Sequence, residues 1–160
     1  MSEGPAGGHD SRPDDRLSSQ DAPDSVPANG ADTHQLYKRG LDLLGRGSPA
    51  AAAQLLERAA AAEPRSRSVL EALARAQFDA GQYAAAAGNF RLIVEASPSD
   101  DYAQFGLGLA LARTGDPGAA AEHLALAAAM CPGQRHYADA LRSVRATLRA
   151  RNEMRKGFED

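Results

Sequence analysis

Residues 98–132 read PSDDYAQFGLGLALARTGDPGAAAEHLALAAAMCP, and two prolines, Pro98 and Pro132, bracket them. Inside, Asp100 is an N-cap residue type placed just before a helical apolar pattern. Gly115 stands where that first helix must stop, and glycine accepts the left-handed backbone of a helix end. Asp116-Pro117 then supplies a cap followed by proline at the first helical position. Pro132 closes the second helix. The stretch predicts two helices, about 101–114 and 117–130, joined by a tight turn.

Upstream, the same unit recurs at a step of 34 residues. Pro64, Pro98 and Pro132 follow that step, as do Gly47, Gly81 and Gly115. Asp32, Ser66 and Asp100 form a column of N-cap types. Gly40, Ala74 and Gly108 form a small column on the first helices, and Ala52, Ala86 and Ala120 one on the second. Leu56, Phe90 and Leu124 are the large column beside them. The earlier hairpins are expected at 33–46 with 49–62 and 67–80 with 83–96. Small columns let the two helices of a pair approach closely, and leucines fill the layers between. One pair cannot bury its own apolar face, so about three stacked units are a practical minimum. This chain has three.

A 34-residue helical hairpin with small, glycine, alanine, large and proline columns resembles the tetratricopeptide repeat. The first unit carries Leu36, Gly40, Leu43, Gly47, Ala52, Leu56, Ala59 and Pro64. The third carries Leu107, Gly108, Leu111, Gly115, Ala120, Leu124, Ala127 and Pro132. The middle unit matches at Leu70, Leu73, Ala74, Gly81, Tyr83, Ala86, Phe90 and Pro98. Departures fall at Arg39, Gln77 and Gln104, where an apolar residue is usual, and at Ile93, where alanine is usual. The resemblance implies an all-α protein, a right-handed α-solenoid of three repeats (about 33–66, 67–100 and 101–134) with a C-terminal capping helix.

Composition agrees with that class. The 160 residues include 35 alanines against 5% aromatic residues and no tryptophan, a bias that favours helices and leaves too few side chains to cover a sheet. Residues 1–31 are rich in Gly, Pro, Ser and Asp, with only Met1, Leu17 and Val26 as sizeable apolar side chains, and are expected to be a disordered acidic tail. Residues 1–32 hold seven acids and two bases. After Pro132, Tyr137, Leu141, Val144 and Leu148 are spaced as one apolar stripe, so a capping helix is expected over 135–151 and a frayed end over 152–160. Arg142, Arg145 and Arg149 stand between them, with Arg155 and Lys156 beyond. The acidic tail is one candidate partner for these bases.

No catalytic or metal constellation is present in the sequence. His34 and His136 sit at equivalent places three repeats apart, and Cys131 with His136 falls far short of a zinc ligand set. Gly45-Arg46-Gly47 and Gly106-Leu107-Gly108 lack the setting of a phosphate loop. The expectation is a non-enzyme with no cofactor. One cysteine permits no internal disulfide, and no membrane span or secretory leader is read, so a cytoplasmic protein is the default. Nucleic acid is not expected as the main partner, because bases cluster only in the last helix.

The resemblance also implies a site. In such solenoids the first helices line the concave face. The places that point there hold Tyr37, Leu41 and Leu44 in the first unit, Arg75 and Phe78 in the second, and Tyr102, Phe105, Leu109 and Arg113 in the third. These would form a largely apolar trough with two arginines. Members that grip an acidic chaperone peptide use Lys, Asn and Arg; here two of those places hold Tyr37 and Leu41, so that mode is not expected. The reading is a protein–protein interaction module, adaptor or chaperone-like, binding a peptide or helical segment of another protein. The alternatives are a self-assembly module and a minor nucleic-acid contact through the arginine stripe.

Overall fold

A computed structural model describes residues 30–159. Seven helices follow one another: α1 (Gly30–Gly45), α2 (Pro49–Ala62), α3 (Arg67–Asp79), α4 (Tyr83–Ala96), α5 (Asp101–Arg113), α6 (Pro117–Met130) and α7 (Arg135–Glu159). There is no strand among the described residues. Each helix packs on its neighbours in sequence, and α1, α3, α5 and α7 also touch one another in that order. This is the all-α solenoid, three helical hairpins closed by a last helix.

The hairpins form where the residues dictate. Gly47, Gly81 and Gly115 have φ of +79°, +82° and +91°, the left-handed region that ends α1, α3 and α5. A Cβ at Gly40 would lie 2.5 Å from Leu56 Cγ, and one at Gly108 would lie 2.7 Å from Leu124 Cγ and 3.1 Å from the Ala120 carbonyl oxygen. These glycines are therefore what let α1 meet α2, and α5 meet α6. Leu56, Leu107 and Leu124 are fully enclosed at these seams.

The caps divide by chemistry. Asp116 accepts from Ala119 N–H at 3.1 Å, whereas Ser48, with nearly the same backbone angles, makes no side-chain cap. A carboxylate reaches one bond further than a hydroxyl. Ser66 and Asp100 cap α3 and α5. Asp100 does more. It accepts from Ala103 N–H at 3.0 Å and from Arg67 Nε at 2.6 Å, tying two repeats together. The Arg67 guanidinium, more than the capped backbone N–H, holds the Asp100 carboxyl below the usual range against the opposing effect of burial. Its stabilising contribution is thus complete above the unfolded carboxyl pKa and is lost as pH falls through the lower folded value. Asp100→Ala is expected to cost about 1–2 kcal/mol near neutral pH, read by urea unfolding, with the deficit shrinking in acid. A deficit that persisted at pH 2 would contradict the charge-based account.

Two ends differ from the sequence reading. Helix α1 begins at Gly30, so Asp32 lies in its first turn instead of capping it, and Thr33 is buried. Helix α7 does not stop at 151 but continues to Glu159. The expected acidic tail lies outside the described residues except for Gly30 and Ala31, which are helical.

Helix α7 starts as a fourth first helix. Tyr137, Leu141 and Val144 are buried at the places that Ala103, Leu107 and Ala110 occupy one step earlier. Its other face breaks the pattern. Arg142 stands in the column of Gly40, Ala74 and Gly108, and Arg145 in that of Leu43, Gln77 and Leu111. Those are the columns that receive the second helix of a pair, so arginine there ends the stacking.

Candidate functional site

A cleft of about 290 Å³ opens between α3 and α5. Arg75, Phe78 and Asp79 come from α3, and Tyr102, Phe105, Gly106 and Leu109 from α5. Phe90 of α4 forms its floor because Gly106 leaves room for the ring. A Cβ at residue 106 would come within 2.5 Å of two ring atoms. Phe90 is buried, Phe78, Tyr102, Phe105 and Leu109 are half-buried, and Arg75 and Asp79 are exposed. The cleft therefore combines an apolar interior with a charged rim, as binding sites commonly do.

An aromatic ladder carries the cleft onto α7. Phe90 meets Tyr102 edge-on with centroids 6.2 Å apart, and Tyr102 meets Phe105 at 6.5 Å. Phe105 stacks on Tyr137 at 4.6 Å and meets the His136 ring edge-on at 5.1 Å. Tyr137 is fixed by its hydroxyl, which donates to Asp101 Oδ2 at 2.7 Å. Burial first, and then this bond, push the Tyr137 phenol well above its ordinary pKa. Burial likewise raises Tyr102, with Arg75 opposing. The Cys131 thiol is raised mainly by its hydrogen bond with Asp101. A phenol is neutral near pH 7 even unshifted, so this wall presents the rings and hydroxyls of Tyr102 and Tyr137.

Of the nine residues expected in the trough, five meet in this cleft: Arg75, Phe78, Tyr102, Phe105 and Leu109. Arg113 lies beside it, stacked 5.7 Å from the Phe78 centroid and 5.3 Å from that of Tyr83, and donates to the Tyr83 hydroxyl at 3.1 Å. Its side chain is tied to the wall. Tyr37, Leu41 and Leu44 are not brought to the cleft. They pack half-buried against a separate cluster made by Ala52, Ala53 and Leu56 of α2 with Ala72, Leu73 and Ala76 of α3, and Tyr37 also lines a hollow with Thr33, His34 and Ser68. The trough expected from the sequence did not include Phe90, Gly106, His136 or Tyr137. The 34-residue step from Tyr102 to His136 was the available signal for α7.

A larger hollow of about 620 Å³ lies between the start of α3 and the end of α4, lined by Leu70, Leu92, Ile93 and Arg67 among others. Arg67 at its rim is engaged by Asp100 and Glu71, and no aromatic ring is among its lining residues. The α3–α5 cleft has the stronger set of recognition groups, since aromatics and arginine dominate binding energies. Among the described residues no group of three or more His, Cys, Asp or Glu could hold a metal ion. No described helix is long and apolar enough to cross a membrane.

Residues 37–101 and 72–135 match the sequence profile of the tetratricopeptide repeat. No curated protein sequence matches the chain. Among solved structures, the first TPR of Spaghetti (RPAP3) bound to the HSP90 peptide SRMEEVD is similar at TM-score 0.69 and 18% identity, covering 77% of this chain and 98% of that one. A MamA RS-1 double mutant is similar at TM-score 0.71 and 20% identity, covering 82% and 74%. The Yersinia enterocolitica secretion chaperone SycD, in complex with a peptide of the translocator YopD, is similar at TM-score 0.66 and 14% identity, covering 74% and 96%. At these identities the likeness is one of fold.

Proposed function

We propose, from the premise that this chain belongs to the tetratricopeptide-repeat family, that it is a non-enzymatic interaction module whose α3–α5 cleft binds a segment of another protein. The observation that carries the reading is the half-buried set Phe78, Tyr102, Phe105 and Leu109 over the buried Phe90 ring, with Arg75 and Asp79 on the rim. Such a site takes an extended or helical segment with one or two apolar anchors, and its rim fixes register. Two solved relatives of this fold are complexes with peptides, which supports the class of ligand. An acidic chaperone tail is not the proposed ligand, because Tyr37 and Leu41 occupy two of the places that would grip its carboxylates.

Affinity capture from the native organism tests this, comparing wild type with Tyr102→Ser plus Phe105→Glu. Phe105 touches Tyr137, so circular dichroism must first show the double variant folded; Leu109→Gln serves as a milder change. Capture is expected to fall at least tenfold with either. Identical partners on folded variants would sink the cleft as the site.

The second reading is self-assembly. Met154 and Phe158, 65% and 89% exposed, favour it, because both are large apolar side chains at the end of α7 left open by the described helices. Sedimentation over a range of concentrations separates the two. A monomer throughout removes self-assembly and leaves the cleft reading intact.

A further inference from the structure

The face of α7 where an eighth helix would pack is a line of cations. Arg142, Arg145, Arg149 and Lys156 recur on one side of the helix, about 20 Å from first to last at 1.5 Å per residue. All four are exposed. Arg142 pairs with Asp139 at 3.0 Å, in the open. Over its length α7 carries seven bases and three acids. In the earlier repeats the equivalent columns are covered by a partner helix: Gly40 by Leu56, Gly108 by Leu124. On α7 nothing described covers them.

The remaining residues of the same chain have the opposite charge. Residues 1–29 hold six acids (Glu3, Asp10, Asp14, Asp15, Asp21 and Asp24) against Arg12 and Arg16. The net formal charges are thus −4 for this segment and +4 for α7. We propose that the segment Glu3–Asp24 lies along the α7 stripe of its own molecule and shields it electrostatically.

Reach permits this. From the start of α1 to the middle of the stripe is three first-helix steps of about 10 Å each, and roughly 20 Å along α7. That makes a span of about 35–40 Å, against an extended reach of about 70 Å for twenty residues. Tethering raises the local concentration of the segment to about the millimolar range, enough for a weak multivalent contact. The proposed attraction is between charges, so salt must abolish it: the Debye length is about 10 Å at 0.1 M and about 4–5 Å at 0.5 M. This inference does not depend on the α3–α5 cleft.

The test uses the full chain. Ser19→Cys with Cys131→Ser places one spin label in the segment, and relaxation of backbone amides reports proximity. At 20 mM NaCl the amides of 142–156 are expected to relax at least fivefold faster than in the diamagnetic control. The effect should vanish at 500 mM NaCl, on Asp10, Asp14, Asp15, Asp21 and Asp24→Asn, and on Arg145, Arg149 and Lys156→Gln. The Asp→Asn variant leaves every described side chain intact, so a loss there is not a folding defect. Absence of enhancement on α7 at low salt overturns the proposal, as does enhancement centred on α3–α5. Enhancement that appears when labelled and unlabelled molecules are mixed, and fades on dilution, overturns it in favour of contact between copies. A single-stranded oligonucleotide that binds wild type and the Asp→Asn variant equally would also overturn it, because a shielded stripe must bind more tightly once the shield is neutralised.

Discussion

Phe90→Ala is expected to destabilise the protein by about 3–5 kcal/mol, the largest effect of any single truncation considered. The ring is 3% exposed and belongs to the main apolar cluster, which joins the second and third hairpins to α7. One side lies against Gly106, which has no side chain to move into the gap. Another side meets Tyr102 edge-on. Removing the ring therefore leaves a void that its rigid neighbours fill poorly, so the cavity cost adds to the lost transfer energy. Urea unfolding and calorimetry measure it, with a melting decrease of roughly 10 °C or more. Because the same ring floors the cleft, ligand binding should fall even in the fraction that remains folded. A loss under about 1 kcal/mol would mean that α4 and α5 collapse to fill the space, contrary to the glycine seam.

Gln104→Leu is the second. The family resemblance puts an apolar residue here, so leucine looks conservative; the structure says otherwise. Gln104 is 2% exposed, and its amide donates from Nε2 to the Pro98 carbonyl at 3.0 Å. Its Oε1 lies 2.7 Å from His123 Nδ1, on α6. With Oε1 accepting, the His123 ring is assigned as protonated on Nδ1. Leucine would strand that N–H, at a cost of about 1–3 kcal/mol. His123→Leu alone strands the amide oxygen instead. The pair of substitutions should cost less than the sum of the two by about 1 kcal/mol or more, because neither polar group is then left behind. Strict additivity in the double-mutant cycle would remove the hydrogen bond from the account. The ring also sets a pH dependence. Burial, the leading cause, lowers the His123 pKa in the fold from 6.5. As pH falls through 6.5 the unfolded ring takes up a proton that the folded ring resists, so stability declines with acidification there. His123→Leu should flatten that slope between roughly pH 7 and 5.

These two residues also show what the sequence could and could not disclose. Phe90 was visible as a member of the column of Leu56 and Leu124, because its spacing alone places it between helices. Its dependence on Gly106 was not, since the 34-residue step aligns Gly106 with Lys38 as well as with Ala72 and Ala140, and so marks no strict small column. Gln104 and Gln77 read as departures from an apolar pattern. Their partners, His123 and Asn89, lie 19 and 12 residues away across a hairpin, at separations that no linear pattern marks. The helix ends failed for a simpler reason. Apolar periodicity stops at Leu148, but Arg, Ala, Glu, Met and Lys continue α7 by intrinsic propensity, which an amphipathic stripe does not measure. For the site, family positions supplied the five residues that meet in the cleft. Tyr37, Leu41 and Leu44 fall instead beside the cluster of Ala52, Leu56 and Leu73, outside this cleft.

The order of contacts has a consequence for how the chain is made. Among the described helices none packs on another more than two places along the sequence. Closing each contact therefore entails only a short loop, and the entropic cost of loop closure stays small from end to end. Each hairpin can settle on the one before it as soon as its closing proline has left the ribosome. Assembly of these helices can follow synthesis without waiting for a distant segment, and α7, the last described helix, completes the aromatic ladder along the cleft.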